Sequence, residues 1–266
     1  MKSLYIYIAF VFTMALHMPL VGQNSEVISV PLSDPGQPGA LLLNNHNGTI
    51  TVEGYSGSTV EIEIRSKASA KIKKSSKRPG LRIIPKRALG ISITEDVNEV
   101  HIGSSNNDMK NYVIRVPRKF SLQSSTHHNG KISVKGVIGV LEIKGHHGDI
   151  DLVDVGGSVV ADTHHGEIEV TMSEIYGDSP MAFTTYHGDV EITFPESIGA
   201  VVKMKSAKGD IYTDFDINMS NQDIERGSRN GKSEIKLGGW TRGEIGGGGP
   251  ELLFDTYHGD IIIRKG

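Results

Sequence analysis

The chain writes nearly the same eight residues four times, and three of the copies run into a strict alternation of polar and apolar positions. "GHHGDIDL" stands at 145–152, "THHGEIEV" at 163–170, "TYHGDVEI" at 185–192 and "TYHGDIII" at 256–263. After Gly148, Asp149 and Asp151 alternate with Ile150 and Leu152; after Gly166, Glu167 and Glu169 alternate with Ile168 and Val170; after Gly188, Asp189 and Glu191 alternate with Val190 and Ile192. A period of two predicts half-buried β-strands. A second short strand precedes the glycine in each unit: "VLEIKG" at 140–145, "SVVADT" at 158–163, "MAFTTY" at 181–186, "AVVKMKS" at 200–206 and "ELLFDTY" at 251–257. Each unit reads strand, turn, strand, loop, and no helical period follows the first residues of the chain.

Aligned on the glycine of the phrase, Gly48, Gly130, Gly148, Gly166, Gly188, Gly209, Gly231 and Gly259 fall into one series. Repeats of about 20 residues are the mark of a solenoid, because one unit alone cannot bury its apolar stripe and a stack of them can. The expected fold is all-β: a single-stranded right-handed β-helix or β-solenoid with rungs of ~18–22 residues, and a less regular β N-terminal part. The expected division is a signal peptide over 1–22, an irregular β region over 23–118 that continues into the solenoid, and regular rungs over 119–266. Stacking in register would place Ile150, Ile168, Val190 and Ile211 in one inward row, and Leu152, Val170 and Ile192 in a second. The glycine suits a tight turn with φ > 0. The residue before it is often histidine or asparagine, both enriched at left-handed positions, so His-Gly is expected to stand where Asn-Gly stands in other rungs.

Composition narrows the chemistry. The chain has 266 residues, a formal net charge of −3, 32 glycines and no cysteine. Disulfides, thiolate metal sites and cysteine nucleophiles are excluded. Lys2, the apolar run Leu4–Leu16, Pro19 and the small Gly22 have the layout of a signal peptide with cleavage after Gly22. The run is short for a bilayer span, so the expectation is an exported chain, in the periplasm, on the outer surface or secreted, with no mature transmembrane segment. Between Arg65 and Arg87 there are ten Lys and Arg and no acid. Such a stretch forms a solvated basic face or attracts polyanions; export leaves nucleic acid out as a partner.

The histidines carry the one candidate chemistry. Stacking would put His147, His165 and His187 in a row with His146 and His164 beside them, near Asp149, Glu167 and Asp189. Imidazole and carboxylate together suit zinc, nickel or copper, although exposed turn side chains are more often structural. Asp149, Glu167, Asp189 and Asp210 would also stack, and like charges on adjacent strands repel. Imidazolium, lysine or a bound cation would relieve that row, so the rungs are expected to loosen as pH rises past ~6.5. No catalytic signature holds: "GSRNGKS" at 227–233 is one residue short of a phosphate-binding loop and leads into a strand pattern. Trp240 is the single tryptophan, which argues against a broad aromatic sugar platform.

The phrases "YVIRVPRKFSLQSSTHHNGKISVKGVIGVLEIKGHHGDIDL" and "GGGGPELLFDTYHGDIIIRKG" resemble a bacterial family of exported β-strand-repeat proteins, a domain of unknown function labelled candidate adhesin and related in style to auto-transporter adhesin heads. The resemblance covers roughly residues 40–266 and implies a right-handed β-helix. Histidine before the glycine departs from the serine or asparagine more usual there. The resulting expectation is a non-enzymatic cell-envelope protein, an adhesin or interaction scaffold without a cofactor, whose partner is a cell-surface or envelope component, polysaccharide or protein. The alternative is a divalent-metal-binding module, or a polysaccharide-acting β-helix enzyme using the stacked His and Asp/Glu rows.

Overall fold

The computed structural model describes residues 26–66, 90–105, 107–128, 130–176, 179–220, 224–229, 232–237 and 239–266. The expected signal peptide and most of the basic stretch lie outside them. Every regular element among the described residues is a β-strand.

The all-β expectation holds, and the described residues form eight rungs of two strands each. In spatial order, rung 1 is Glu99–Ser104 with Lys110–Pro117, rung 2 is Gly39–Asn47 with Ile50–Tyr55, and rung 3 is Phe120–His128 with Ile132–Lys135. Rung 4 is Ile138–Gly145 with the first part of the long strand Ile150–His165, whose second part joins Ile168–Ile175 as rung 5. Rung 6 is Met181–His187 with Val190–Phe194, rung 7 is Glu251–His258 with Ile261–Lys265, and rung 8 is Ala200–Ser206 with Ile211–Thr213. Successive rungs pair in parallel along both faces.

Register makes the rows continuous. Tyr112, Ile50, Ile132, Ile150, Ile168, Val190, Ile261 and Ile211 are successive partners across one face. On the other face Ile102, Leu43, Ser124, Ile143, Ala161, Phe183, Phe254 and Met204 do the same. Apart from the half-buried Ile211, both rows are buried. Apolar burial at roughly 25 cal/mol per Å² makes these rows the main stabiliser. Phe183 and Phe254 stack at 5.4 Å, filling the core where rungs 6 and 7 meet.

A regular solenoid would lay its rungs in chain order, and this chain does not. Rung 2 precedes rung 1 in sequence, and rung 8 precedes rung 7. The C-terminal coil is thus inserted between rungs 6 and 8, so Ile261 lies between Val190 and Ile211, which the sequence reading made direct neighbours. The less regular N-terminal region contributes two complete rungs, rungs 1 and 2, with rung 2 stacked directly on rung 3.

Among the described residues, antiparallel strands cover both edges of rung 1 and one edge of rung 8. Ile91–Asp96 pairs with one edge of rung 1, Thr59–Ser66 with the other, and Glu26–Pro31 lies outside Thr59–Ser66. At the far end Thr241–Ile245 pairs with Ala200–Ser206, and Asn218–Met219 pairs with Thr241–Ile245. These strands occupy edges that would otherwise offer unpaired backbone groups to another chain. Of "GSRNGKS", residues 227–229 and 232–233 lie in the antiparallel strands Ile224–Arg229 and Lys232–Leu237, so a strand follows and not a helix, in line with the failed phosphate-loop spacing.

Candidate functional site: a double file of rings at the rung corner

The corner between paired strands reads Thr-[His/Tyr]-His-Gly in rungs 5, 6 and 7, with variants of that plan in rungs 2, 3, 4 and 8. Parallel register repeats that plan along the stack. The glycines form a ladder in which each N–H donates to the carbonyl of the residue before the next glycine: Gly130 to His147, Gly148 to His165, Gly166 to His187 and Gly188 to His258.

The positive φ expected of the glycine is present, and a second constraint joins it. Gly148 and Gly166 do have positive φ, +150° and +156°, but the histidines before them do not; among the described residues the non-glycine positions with positive φ are Val97, Asn98 and Asp154. His-Gly is therefore not an Asn-Gly-type left-handed turn. A Cβ on Gly148 would collide with the carbonyl of Gly130, and one on Gly166 with the carbonyl of Gly148. The corners stack so closely that only a hydrogen atom fits between them.

Three positions before the glycine stands a buried hydroxyl that the sequence reading overlooked. Thr163 Oγ1 donates to Gly148 O at 3.1 Å, Thr185 Oγ1 to Gly166 O at 3.0 Å and Thr256 Oγ1 to Gly188 O at 3.0 Å. Ser206 donates likewise to Gly259 O, and Asn45 Nδ2 to Gly48 O. The recurring Thr in "THHG" and "TYHG" was the available signal.

The side chains that follow form two files. In the first, His46, His127, His146, His164, Tyr186 and Tyr257 stack face to face, with ring centroids 4.7 to 5.7 Å apart. In the second, His128, His147, His165, His187 and His258 stack at 4.7 to 6.1 Å. Rings of the same rung meet edge to face, as His146–His147 at 4.3 Å and His164–His165 at 4.4 Å. The structure thus brings together the five predicted histidines, His146, His147, His164, His165 and His187. It adds His46, His127, His128 and His258, so nine of the chain's eleven histidines share one ridge. Alignment on Gly130 had set Asn129 opposite His147; the stacking sets His128 there instead.

The predicted acids do not join them. Asp149 Oδ1 accepts from the N–H of Glu167 at 3.1 Å, Asp189 Oδ1 from that of Asp260 at 2.8 Å, and Asp260 Oδ1 from that of Asp210 at 2.8 Å. Each of these carboxylates accepts one backbone N–H from the neighbouring rung. As the side chains stand, no three His, Asp or Glu among the described residues converge on a metal position. Three of the histidines disfavour protonation. Desolvation first, then the charges of neighbouring histidines, lower the pKa of His128, His146 and His165 below the ordinary 6.5. The Nδ1 of His146 is buried in the file without a hydrogen-bond partner.

Beside the tyrosine end of the first file lies an open groove of about 330 Å³, lined by Asp162, Thr184, Tyr186, Lys205, Asp255 and Tyr257 among others. Partial burial raises the pKa of Asp255, while Lys205 opposes the shift. Ala207 takes the position in rung 8 that rings hold in rungs 2 to 7, so the ring file ends at Tyr257.

Residues 137–238 match the Toastrack DUF4097 family, a domain of unknown function. The match takes in rungs 4 to 6 and 8 and leaves out the inserted rung 7. Among solved structures, the chain is similar to a candidate cell adhesion protein from Clostridium sporogenes ATCC 15579, with 12% identity, 91% of this chain and 99% of that chain covered, and a TM-score of 0.46. It is also similar to a candidate adhesin from Bacteroides fragilis NCTC 9343, with 8% identity, 92% and 98% covered, and a TM-score of 0.27. No curated protein matches the chain.

Proposed function

We propose that the chain is an exported, non-enzymatic cell-envelope protein that works as an adhesin-like interaction scaffold, its partner an envelope polysaccharide. The signal-peptide layout of residues 1–22 supports export. The rungs are proposed to wind in the right-handed sense that parallel crossovers favour.

One observation carries the reading of the contact face. The groove at the tyrosine end offers hydroxyl, carboxylate and ammonium groups beside exposed tyrosine rings, all on strands fixed by the core rows. A polyhydroxylated chain needs such convergent donors and acceptors on a rigid support. An enzymatic reading through the stacked acids gains no support, since backbone amides already hold Asp149, Asp189 and Asp260.

The test is titration of the purified chain with polysaccharide isolated from the producing cell's own envelope, for the parent and for Tyr257→Ala and Lys205→Ala. Each variant is expected to weaken binding at least about tenfold with an unchanged melting temperature. Binding that ignores both substitutions, or no binding by the parent, overturns the groove as the contact face. Recovery of the protein in the cytoplasm with residues 1–22 intact overturns export.

A further inference from the structure

The imidazole ridge is more than the stacking of the corners requires. Asn47, Lys208 and Ala207 occupy equivalent places in rungs 2 and 8, and the glycine ladder runs through backbone atoms, not through the rings. Rungs 3, 4 and 5 nevertheless carry histidine at both positions: His127 with His128, His146 with His147, His164 with His165. In the described structure none of these six rings has a hydrogen bond to a protein group, and at the centre the Nδ1 of His146 is both buried and unsatisfied. A buried ring nitrogen without a partner among other imidazoles calls for a hydrogen-bonding group or a metal ion.

We propose that His146, His147, His164 and His165 together bind one divalent late transition-metal ion of the copper, nickel or zinc class. The four rings form a closed cell. Centroids lie 4.3 and 4.4 Å apart within the two rungs, and 5.3 and 4.9 Å apart between them. Metal–imidazole bonds of about 2.0–2.1 Å arranged tetrahedrally need nitrogens about 3.3 Å apart. The rings stack face to face between rungs and edge to face within them, and their nitrogens do not converge on one point in this arrangement. His147 and His164 are exposed and the terminal torsion of histidine is broad, so binding requires these two rings to tilt toward His146 and His165. The neighbouring cell of His127, His128, His146 and His147 is looser, with His128 and His147 at 6.1 Å. An all-nitrogen set favours borderline late metals over calcium or magnesium, which take oxygen ligands. The carboxylates that the sequence placed in such a site are not part of it, because the backbone already holds Asp149 and Asp189.

The test uses the chain purified without a histidine tag, at pH 7.5, titrated calorimetrically with copper, nickel and zinc salts and with calcium as control. Copper binding is read in parallel by electron paramagnetic resonance. The parent is expected to bind one equivalent tightly, with nitrogen hyperfine structure. His146→Asn/His164→Asn should weaken that site by at least about a hundredfold, while Asp149→Asn/Glu167→Gln leaves it unchanged. Melting curves in chelator establish that each variant folds; a second variant, His147→Ala/His165→Ala, is substituted where the first fails. Loss of the site in the acid variant, retention in both histidine variants, or oxygen-only coordination overturns the assignment. So does a parent that takes up none of the three metals at micromolar concentration. None of these readings depends on polysaccharide binding at the tyrosine groove.

Discussion

The same register produces two very different stacks, one inside and one outside. Inside, Ile132, Ile150, Ile168, Val190 and Ile261 repeat an aliphatic side chain at every rung and exclude water. Outside, at the corner a few residues earlier in each rung, rings repeat at nearly the same spacing and remain largely exposed. Repetition is cooperative for the apolar row, because each rung covers its neighbours. For the imidazole files it is self-limiting, because a charge on one ring raises the cost of charging the next. Parallel stacking therefore amplifies whatever chemistry a position carries, stabilising indoors and titratable or ligand-seeking at the surface.

The sharpest way to break this contrast is to place surface chemistry inside. Ile168→Asp puts a carboxylate where no partner exists and should prevent folding or cost more than about 4 kcal/mol. Ile168→Ala should cost about 2–5 kcal/mol. His164→Ala, on the outer file, should stay within roughly 0.5 kcal/mol. Denaturant unfolding of the three variants checks the ranking, and equal costs for Ile168→Ala and His164→Ala would erase the distinction.

The corner between the two stacks gives intermediate effects. Gly166→Ala drives a methyl group at the carbonyl of Gly148 and strains a backbone at φ +156°, for an expected loss of about 1–3 kcal/mol. Gly239, whose added Cβ would meet nothing within 4 Å, is the control and should tolerate alanine. Thr185→Val keeps the shape but removes the hydroxyl that donates to Gly166 O. That leaves a half-buried carbonyl without its donor, at about 1–3 kcal/mol, whereas Thr185→Ser should recover most of the difference. If valine were tolerated as well as serine, the threonine ladder would be a matter of packing alone.

Much of this was legible beforehand. Alternation after Gly148, Gly166 and Gly188 located the strands, and the repeat length brought Ile150, Ile168 and Val190 into one row as partners. The exchange of rungs 7 and 8 was not legible, because "TYHGDIII" is as good a neighbour for "TYHGDVEI" as the phrase next in sequence; local pattern specifies a rung but not its place in the stack. The corner was read as a turn whose histidines take up left-handed geometry. The actual constraint is between rungs, a carbonyl against a missing Cβ, which no single rung displays. The acids were grouped with the histidines for their nearness in sequence, yet alternation separates adjacent residues and the backbone of the next rung claims the carboxylates.

The smallest effect per site, and the one that separates the two views of the ridge, is its response to pH. Imidazolium relief of an acid row would make the fold weaken as pH rises past ~6.5. The structure gives the opposite sign. His128, His146 and His165 have folded pKa values below the ordinary 6.5, mainly through desolvation and then through the charges of the histidines around them. In the unfolded chain the same groups titrate near ~6.5. The folded state thus prefers neutral rings; that contribution is present in full above ~6.5 and is lost as pH falls through the lowered folded values. In metal-free, chelator-treated buffer the melting temperature should fall between about pH 6.5 and pH 5, a window that stays above the ordinary carboxylate range. His146→Asn/His165→Asn should flatten the slope without lowering stability at pH 7.5. A melting temperature that instead climbs on acidification would return the acid row to the centre of the electrostatics.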